Sequence, residues 1–426
     1  MIRILRYGEV DNGDIFSRTI PQDVVSGEVS EIIAAVRRRG DAALLEYARA
    51  YDGAQLDTLQ VSEEEWDAAV DTVDPAFMAV LEQAADNIRA FHRHQVRSSF
   101  LINDRPGVVI GQKVLPIEKV GLTVPGGAAP LSSTVLMNAI PAKIAGCGLV
   151  VMVTPAGKEG KVDASVLAAA KVAGVDQIYK AGGAQGIAAL AYGTQTIPRV
   201  DKIVGPGGAY VSEAKKQVFG QVSIDMIAGP SEILIIADST SDPRYLAADM
   251  LSQAEHDTMA SAVLVTDSMA LAEAVQAELE RQLPLLPREK IARASVENNG
   301  KIIVTDRLET AIDIANEMAP EHLELCVDHP FDYLDAIRHA GSVFMGRSCP
   351  EAVGDYFAGV NHTLPTSGTA RFSSPLSVDD FVKKTQFTYY TPSALKEDAQ
   401  QIARFAQQER LQGHARSVLI RGEETR

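Results

Sequence analysis

A chain of 426 residues is long for one hydrophobic core and fits two or three domains. Its 46% hydrophobic and 23% charged residues speak against pervasive disorder. A net charge of −16, spread along the chain, argues against the positive footprint that nucleic acid or an anionic membrane requires, so neither is expected as a partner.

Cys147, Cys326 and Cys349 are too few and too scattered for a disulfide framework or a CxxC zinc site. They read as buried thiols in a reducing cytoplasm. The opening MIRILRYGEVDNGDIF lacks the apolar core and cleavage site of a signal peptide. The most apolar long stretch, Leu131 to Val153, contains Asn138, Pro141 and Lys143 and does not read as a membrane span.

In chain order, residues 23–50 predict two amphipathic helices, each stopped by a glycine. A third helix is expected over 62–97, with Asp74-Pro75 as the point of interruption. From Val108 apolar runs alternate with helical segments. VVIGQKVLP and KVGLTVPGG read as strands, TVLMNAIPAKIAG as a helix, then LVVMVTP, a helix at 163–173 and QIYKAGG follow. GAQGIAALAYG reopens a helix, and DKIVGPGG leads into AYVSEAKKQVFG. A second series starts at EILIIAD, with a helix from Asp242-Pro243, then SAVLVT, a helix at 268–283, KIIVT, a helix from Asp306, LELCV and GSVFMG. Such alternation predicts βαβ units and parallel sheets in two blocks, roughly 108–231 and 232–346. The helical N-terminal part is expected to pack on one of them. Residues 347–391 read as ordered loops and Ser393 onward as a C-terminal helix. The fold class is therefore α/β: two Rossmann-like but incomplete domains, a helical N-terminal part and a small helical C-terminal tail.

Two glycine turns, KAGGAQG (180–186) and VGPGGAYV (204–211), place backbone N–H groups at helix starts. Neither is a full GxGxxG, since Tyr210 stands where the third glycine belongs, and by themselves they favour plain strand-to-helix connections over a nucleotide site.

The polar residues are more informative. Gln253 and His256 are three apart at a helix end, so both can face one way. Glu321-His322 follows Pro320 in a bend between helix and strand. Asp355 falls in the expected loop PEAVGDYFAG, between Glu351 and His362, and Glu409 and His414 close the last helix. Each has an ordinary reading as a cap, a solvated turn or a surface residue, and no spacing matches HExxH or a zinc finger.

At these residues the sequence resembles the histidinol dehydrogenase family, over about residues 25–420. The stretches that carry the resemblance include VPGGAAPLSSTVLMNAIPAKIAG, AGGAQGIAALAYGT, DKIVGPGGAYVSEAK, IDMIAGPSEILIIAD, DMLSQAEHD, APEHLEL, GSVFMG, GDYFAGVNHTLPTSGTARFSS and LSVDDF, in that order. The resemblance implies a homodimer with one zinc per subunit that oxidises L-histidinol, through the aldehyde, to L-histidine with two NAD. It implies zinc ligation by Gln253, His256, Asp355 and His414, a mixed donor set that suits zinc. It implies substrate contacts from Ser231, Gln253, His256, His322, Asp355, Glu409 and His414, with Glu351 and His362 lining the same pocket. His322 is implied as general base and Glu321 as the group that activates water for the aldehyde step. Gln185 matches a cofactor contact, whereas Thr123 and Gly208 depart from the aromatic residue and the asparagine that the family commonly carries there.

The resemblance also implies discontinuous domains: an arm at 1–20, a first α/β domain of 21–124 plus 233–376, a second at 125–232, and a dimerisation segment at 377–426 that completes the partner's site. A dehydrogenase of another small polar alcohol, such as a sulfonated diol, is the runner-up. A zinc hydrolase using Glu321 leaves the α/β blocks without a purpose, and a non-catalytic zinc protein leaves Glu321 beside His322 unexplained.

Overall fold

The computed structural model describes residues 1–18, 25–126 and 130–422. The expected arm boundary at residues 20 and 21, and part of the VPGGAAP turn, lie outside the described residues. The chain divides into two compact units, one formed by 1–95 with 117–381 and a smaller one by 96–116 with 382–426.

The larger unit is built on two parallel sheets, as the alternating pattern implied. In the five-stranded sheet the order is Gln177–Lys180, Leu149–Thr154, Lys119–Thr123, Lys202–Val204, Ser223–Ile224. In the six-stranded sheet it is Arg3–Arg6, Lys301–Val304, Ser261–Thr266, Glu232–Ala237, His322–Cys326, Ser342–Met345. Apart from the edge strand Arg3–Arg6, each sheet starts near its middle, runs outward on one side and then returns to the other, which is the doubly wound arrangement. Strands such as LVVMVT and SAVLVT are buried almost end to end because helices cover both faces.

The N-terminal helices pack on the five-stranded sheet. Ser26–Arg39 ends at Gly40, whose φ of 57° lies in the left-handed region, and its Val29, Ile32 and Val36 join Ile187 and Leu190 on one face. The expected break at Asp74-Pro75 is present: Asp74 caps Pro75–His92 by accepting from Ala76 N–H at 3.0 Å. That helix buries Leu81, Ala85 and Ile88 against the other face.

Several expectations are corrected or extended. Val108–Pro116 does not join a parallel sheet. It pairs antiparallel with Phe100–Ile102 and with Val382–Tyr390 in the smaller unit, and the latter strand replaces an expected loop. Arg3–Arg6, too short to show a period, is an edge strand paired to Lys301–Val304. Asp355 lies on the short helix Glu351–Tyr356 and not in a loop. Cys349 is only half-buried, unlike Cys147 and Cys326. The C-terminal helix is two helices, Pro392–Gln408 and Gln412–Leu419. Among the described residues no helix is long and apolar enough to cross a membrane.

Lys301 secures the N-terminal segment from inside the sheet. Its buried ammonium donates to the carbonyls of Asp14, Ile15 and Ser17 at 3.2, 2.9 and 3.1 Å, acceptors at the carboxyl end of the Asn12–Phe16 helix. Lys301→Met should strand those carbonyls and lower stability by about 2 kcal/mol. A lower urea midpoint together with faster proteolysis near residue 18 would register it.

Candidate active site

The six-stranded sheet brings most of the singled-out residues together at the amino ends of two neighbouring strands. His322 opens the His322–Cys326 strand and lies opposite Ile233 in parallel register. Its Nδ1 donates to the Glu232 carbonyl at 3.0 Å, the tautomer following from the fact that a carbonyl only accepts. Its Nε2 is buried without a hydrogen-bond partner, 3.6 Å from an Asp355 carboxylate oxygen. Phe344 stacks on the imidazole, centroid to centroid 6.0 Å.

Carboxyls surround this ring. Glu321 lies 3.7 Å and Glu351 3.9 Å from Nδ1. Glu321 accepts from Glu232 N–H at 2.8 Å, so one residue's backbone fixes both members of the Glu321-His322 pair. Burial alone would depress His322, but Glu321, Asp355 and Glu351 outweigh it and push the imidazole up to about 10. Burial raises Glu321 to about 8 and Glu351 to about 7, against the opposing pull of His322. Burial would likewise raise Asp355, yet the nearby imidazoles of His322, His362 and His256 hold it below the usual carboxylate range.

Gln253 is fully buried in the last turn of Pro243–Ala254. Its surroundings assign the amide: the nitrogen donates to both Glu351 oxygens at 3.1 and 3.0 Å, and the oxygen accepts from Glu232 N–H at 3.0 Å. That oxygen keeps a second lone pair. Ser252 adds a hydroxyl bond of 2.5 Å to Glu351. His256 sits in the exposed turn just past the helix. His362 bridges the Asp355 carbonyl (3.0 Å) and the Thr134 hydroxyl (3.2 Å), so both its nitrogens are engaged. Half-buried Ser231 stands one residue before Glu232.

A carboxylate (Asp355) and an imidazole (His256) within electrostatic reach, with an amide oxygen on the same helix end as His256, fit a zinc ion chemically. Among the described residues no three His, Cys, Asp or Glu side chains converge to hold a metal by themselves.

The family model for histidinol dehydrogenase matches residues 17–422. A histidinol dehydrogenase of Geobacillus kaustophilus is 56% identical over 92% of this chain and 93% of its own length. One from Syntrophotalea carbinolica is 53% identical over 99% of each. The crystal structure of histidinol dehydrogenase from Elizabethkingia anophelis superposes with a TM-score of 0.93 at 38% identity, covering 99% of this chain and 98% of that one. The chain belongs to the histidinol dehydrogenase family.

The structure places the remaining candidates elsewhere in this histidinol dehydrogenase family member. Gln185 is buried in the first turn of Gly183–Tyr192, beside the five-stranded sheet. Glu409 and His414 are exposed in the smaller unit, at the end of one helix and within the next. Sequence reasoning missed Glu232, whose signal is backbone geometry and therefore invisible in residue type. It also missed Ser252, a small polar residue one position before Gln253.

The Glu232 contact makes a spectroscopic prediction. In metal-free protein titrated to alkaline pH, the ¹⁵N shifts of His322 should report a protonated Nδ1 and a bare Nε2. A reversed tautomer would remove the stated orientation.

Proposed function

We propose that this chain is a zinc-dependent L-histidinol dehydrogenase that uses two NAD to carry L-histidinol through L-histidinaldehyde to L-histidine. The observation that carries the reading is His322: Nδ1 is pinned to the Glu232 carbonyl, while Nε2 faces Asp355 with no partner of its own.

In the first oxidation His322 Nε2 takes the hydroxyl proton as the carbinol hydrogen leaves as hydride to the nicotinamide. Glu321 then takes a proton from water as the water oxygen bonds to the aldehyde carbon, and the carbonyl oxygen takes the proton that His322 holds, giving the diol. His322, neutral again, takes a proton from that diol as the second hydride leaves. The balance is one alcohol, one water and two NAD giving one carboxylate, two NADH and three protons. When bound, a zinc ion held by Gln253, His256, Asp355 and His414 would anchor the substrate's imidazole and amine and offset the carboxylates around His322. Ser231, Glu351 and His362 line the pocket, and Glu409 pairs with the substrate's cationic group.

The reading takes the protein to be a homodimer in which Glu409 and His414 serve a second copy's site. Exposed Phe100, Leu101, Tyr389 and Phe405 support a partner for the smaller unit, since apolar surface of this kind marks contact regions.

For the cofactor, the five-stranded sheet supports a site at its switch point, where Thr123 ends one strand and Gly205 follows its neighbour. Gly205 has φ 117°, and a Cβ there would lie 2.2 Å from the Thr123 carbonyl, so only glycine lets the backbones approach. Gln185 contributes from the neighbouring helix start. Gly208, by contrast, has open space and a φ of −68° at the start of Ala209–Val218. Gly208→Asn should therefore be accommodated and lower the KM for NAD several-fold, measured by initial rates against cofactor.

Zinc-loaded protein with limiting L-histidinol should release two equivalents of NADH and lose this on chelation. His322→Asn should lower both steps about 10²–10⁴-fold. Glu321→Gln should slow oxidation of supplied aldehyde more than that of the alcohol. An unaltered aldehyde rate in that variant would remove Glu321 from the hydration step.

A further inference from the structure

On the reading above, the site hangs on three separate elements: the His322–Cys326 strand, the Pro243–Ala254 helix with Gln253, and the Glu351–Tyr356 helix with Asp355. Glu324 lies where the three meet. Side chains alternate along a strand, so Glu324 shares the face of His322 and Cys326. It is completely buried, in a strand with no exposed residue. One carboxyl oxygen accepts from the backbone N–H of Glu351 at 2.8 Å. The other accepts from the Cys326 thiol at 3.8 Å. The carboxyl of Asp249 hydrogen-bonds it from the Pro243–Ala254 helix.

Each contact falls one repeat from a site residue. Glu324 is two residues, one pleat, from His322. Asp249 is four residues, about one helical turn, from Gln253, and Glu351 is four from Asp355. The Glu351–Tyr356 helix starts at Pro350, which supplies no side-chain cap. Glu324 does that work from another strand, accepting the first orphan N–H of the helix. Two carboxylates cannot hydrogen-bond each other without a proton, because the ionised form only accepts. Burial raises both carboxyls above their ordinary range, so the pair holds a proton between Glu324 and Asp249.

We propose that Glu324 is a positioning residue for the dehydrogenase reaction: through its two carboxyl oxygens it locks the strand bearing His322 to the two helices bearing Asp355 and Gln253, and so sets their spacing. This rests on the assignment of those residues to the site, but the coupling of the three elements can be measured without it.

Glutamine reproduces a protonated carboxyl, with one acceptor for Glu351 N–H and one donor for Asp249. Glu324→Gln is therefore expected to keep kcat within about twofold and to keep zinc affinity. Glu324→Leu should lose 10–100-fold in kcat or zinc affinity, the usual range for groups that orient metal ligands. It should also speed amide hydrogen exchange across 351–356 in the metal-free protein. Asp249→Ala, at a partly exposed position, removes only the Asp249 contact to Glu324, with less risk to folding, and should loosen Glu324 enough to move both readouts the same way by a smaller factor. Exchange across 351–356 unchanged in folded Asp249→Ala or Glu324→Leu protein would overturn the lock. A folded Glu324→Gln protein as impaired as the leucine variant would overturn the role of these hydrogen bonds. Wild-type protein inactive on histidinol, but with the exchange differences intact, would instead count against the substrate assignment alone.

Discussion

The hydrogen bond from His322 Nδ1 to the Glu232 carbonyl ties the chemistry of one nitrogen to the pairing of two strands. Parallel register sets Ile233 opposite His322, which puts the Glu232 carbonyl at the edge of the ladder and within reach of the ring. The same peptide segment offers its N–H to Glu321 and to the Gln253 amide oxygen. A slip of one residue would turn His322 to the other face of the sheet. The geometry of this cluster is thus a property of the sheet and not of a flexible loop, which is why so many ionisable groups can be held buried together.

The cluster lies at the amino ends of its strands, whereas open α/β sheets usually bind ligands at the carboxyl ends. In the six-stranded sheet part of the carboxyl end is taken by Arg347, whose guanidinium binds Asp238, at the end of one central strand, and Asp328, beyond its neighbour. Ser241 and Thr240 add hydroxyl contacts to the same guanidinium. The equivalent crevice of the five-stranded sheet ends in glycines. Two sheets of like winding therefore differ at this end, one stapled by charge and the other left with bare backbone.

How much of this was legible depended on whether the cause was local. The helices at Asp74-Pro75 and Asp242-Pro243 carry their caps in sequence and were placed from it, and the apolar runs announced buried parallel strands. Val382–Tyr390 was not legible as a strand because its partner, Val108–Pro116, lies some 270 residues away and only pairing completes the pattern. The Glu351–Tyr356 helix was read as loop for a related reason: its cap is Glu324, remote in sequence. Of the site, the family resemblance pointed to the residues, and the sheet brings Gln253, Glu321, His322, Glu351 and Asp355 together. A further overlooked signal was the lone acid in LELCV, since a glutamate inside a buried strand needs a partner or a proton.

The helix that carries Asp355 has six residues, far below the length at which a helix holds itself together in water. Its order is borrowed from Glu324, Ser252, Gln253 and His362. Such a segment opens at lower free energy than the sheets beneath it. Heat inactivation should then precede global melting, and a ligand that grips Asp355 should raise the inactivation temperature more than the melting temperature.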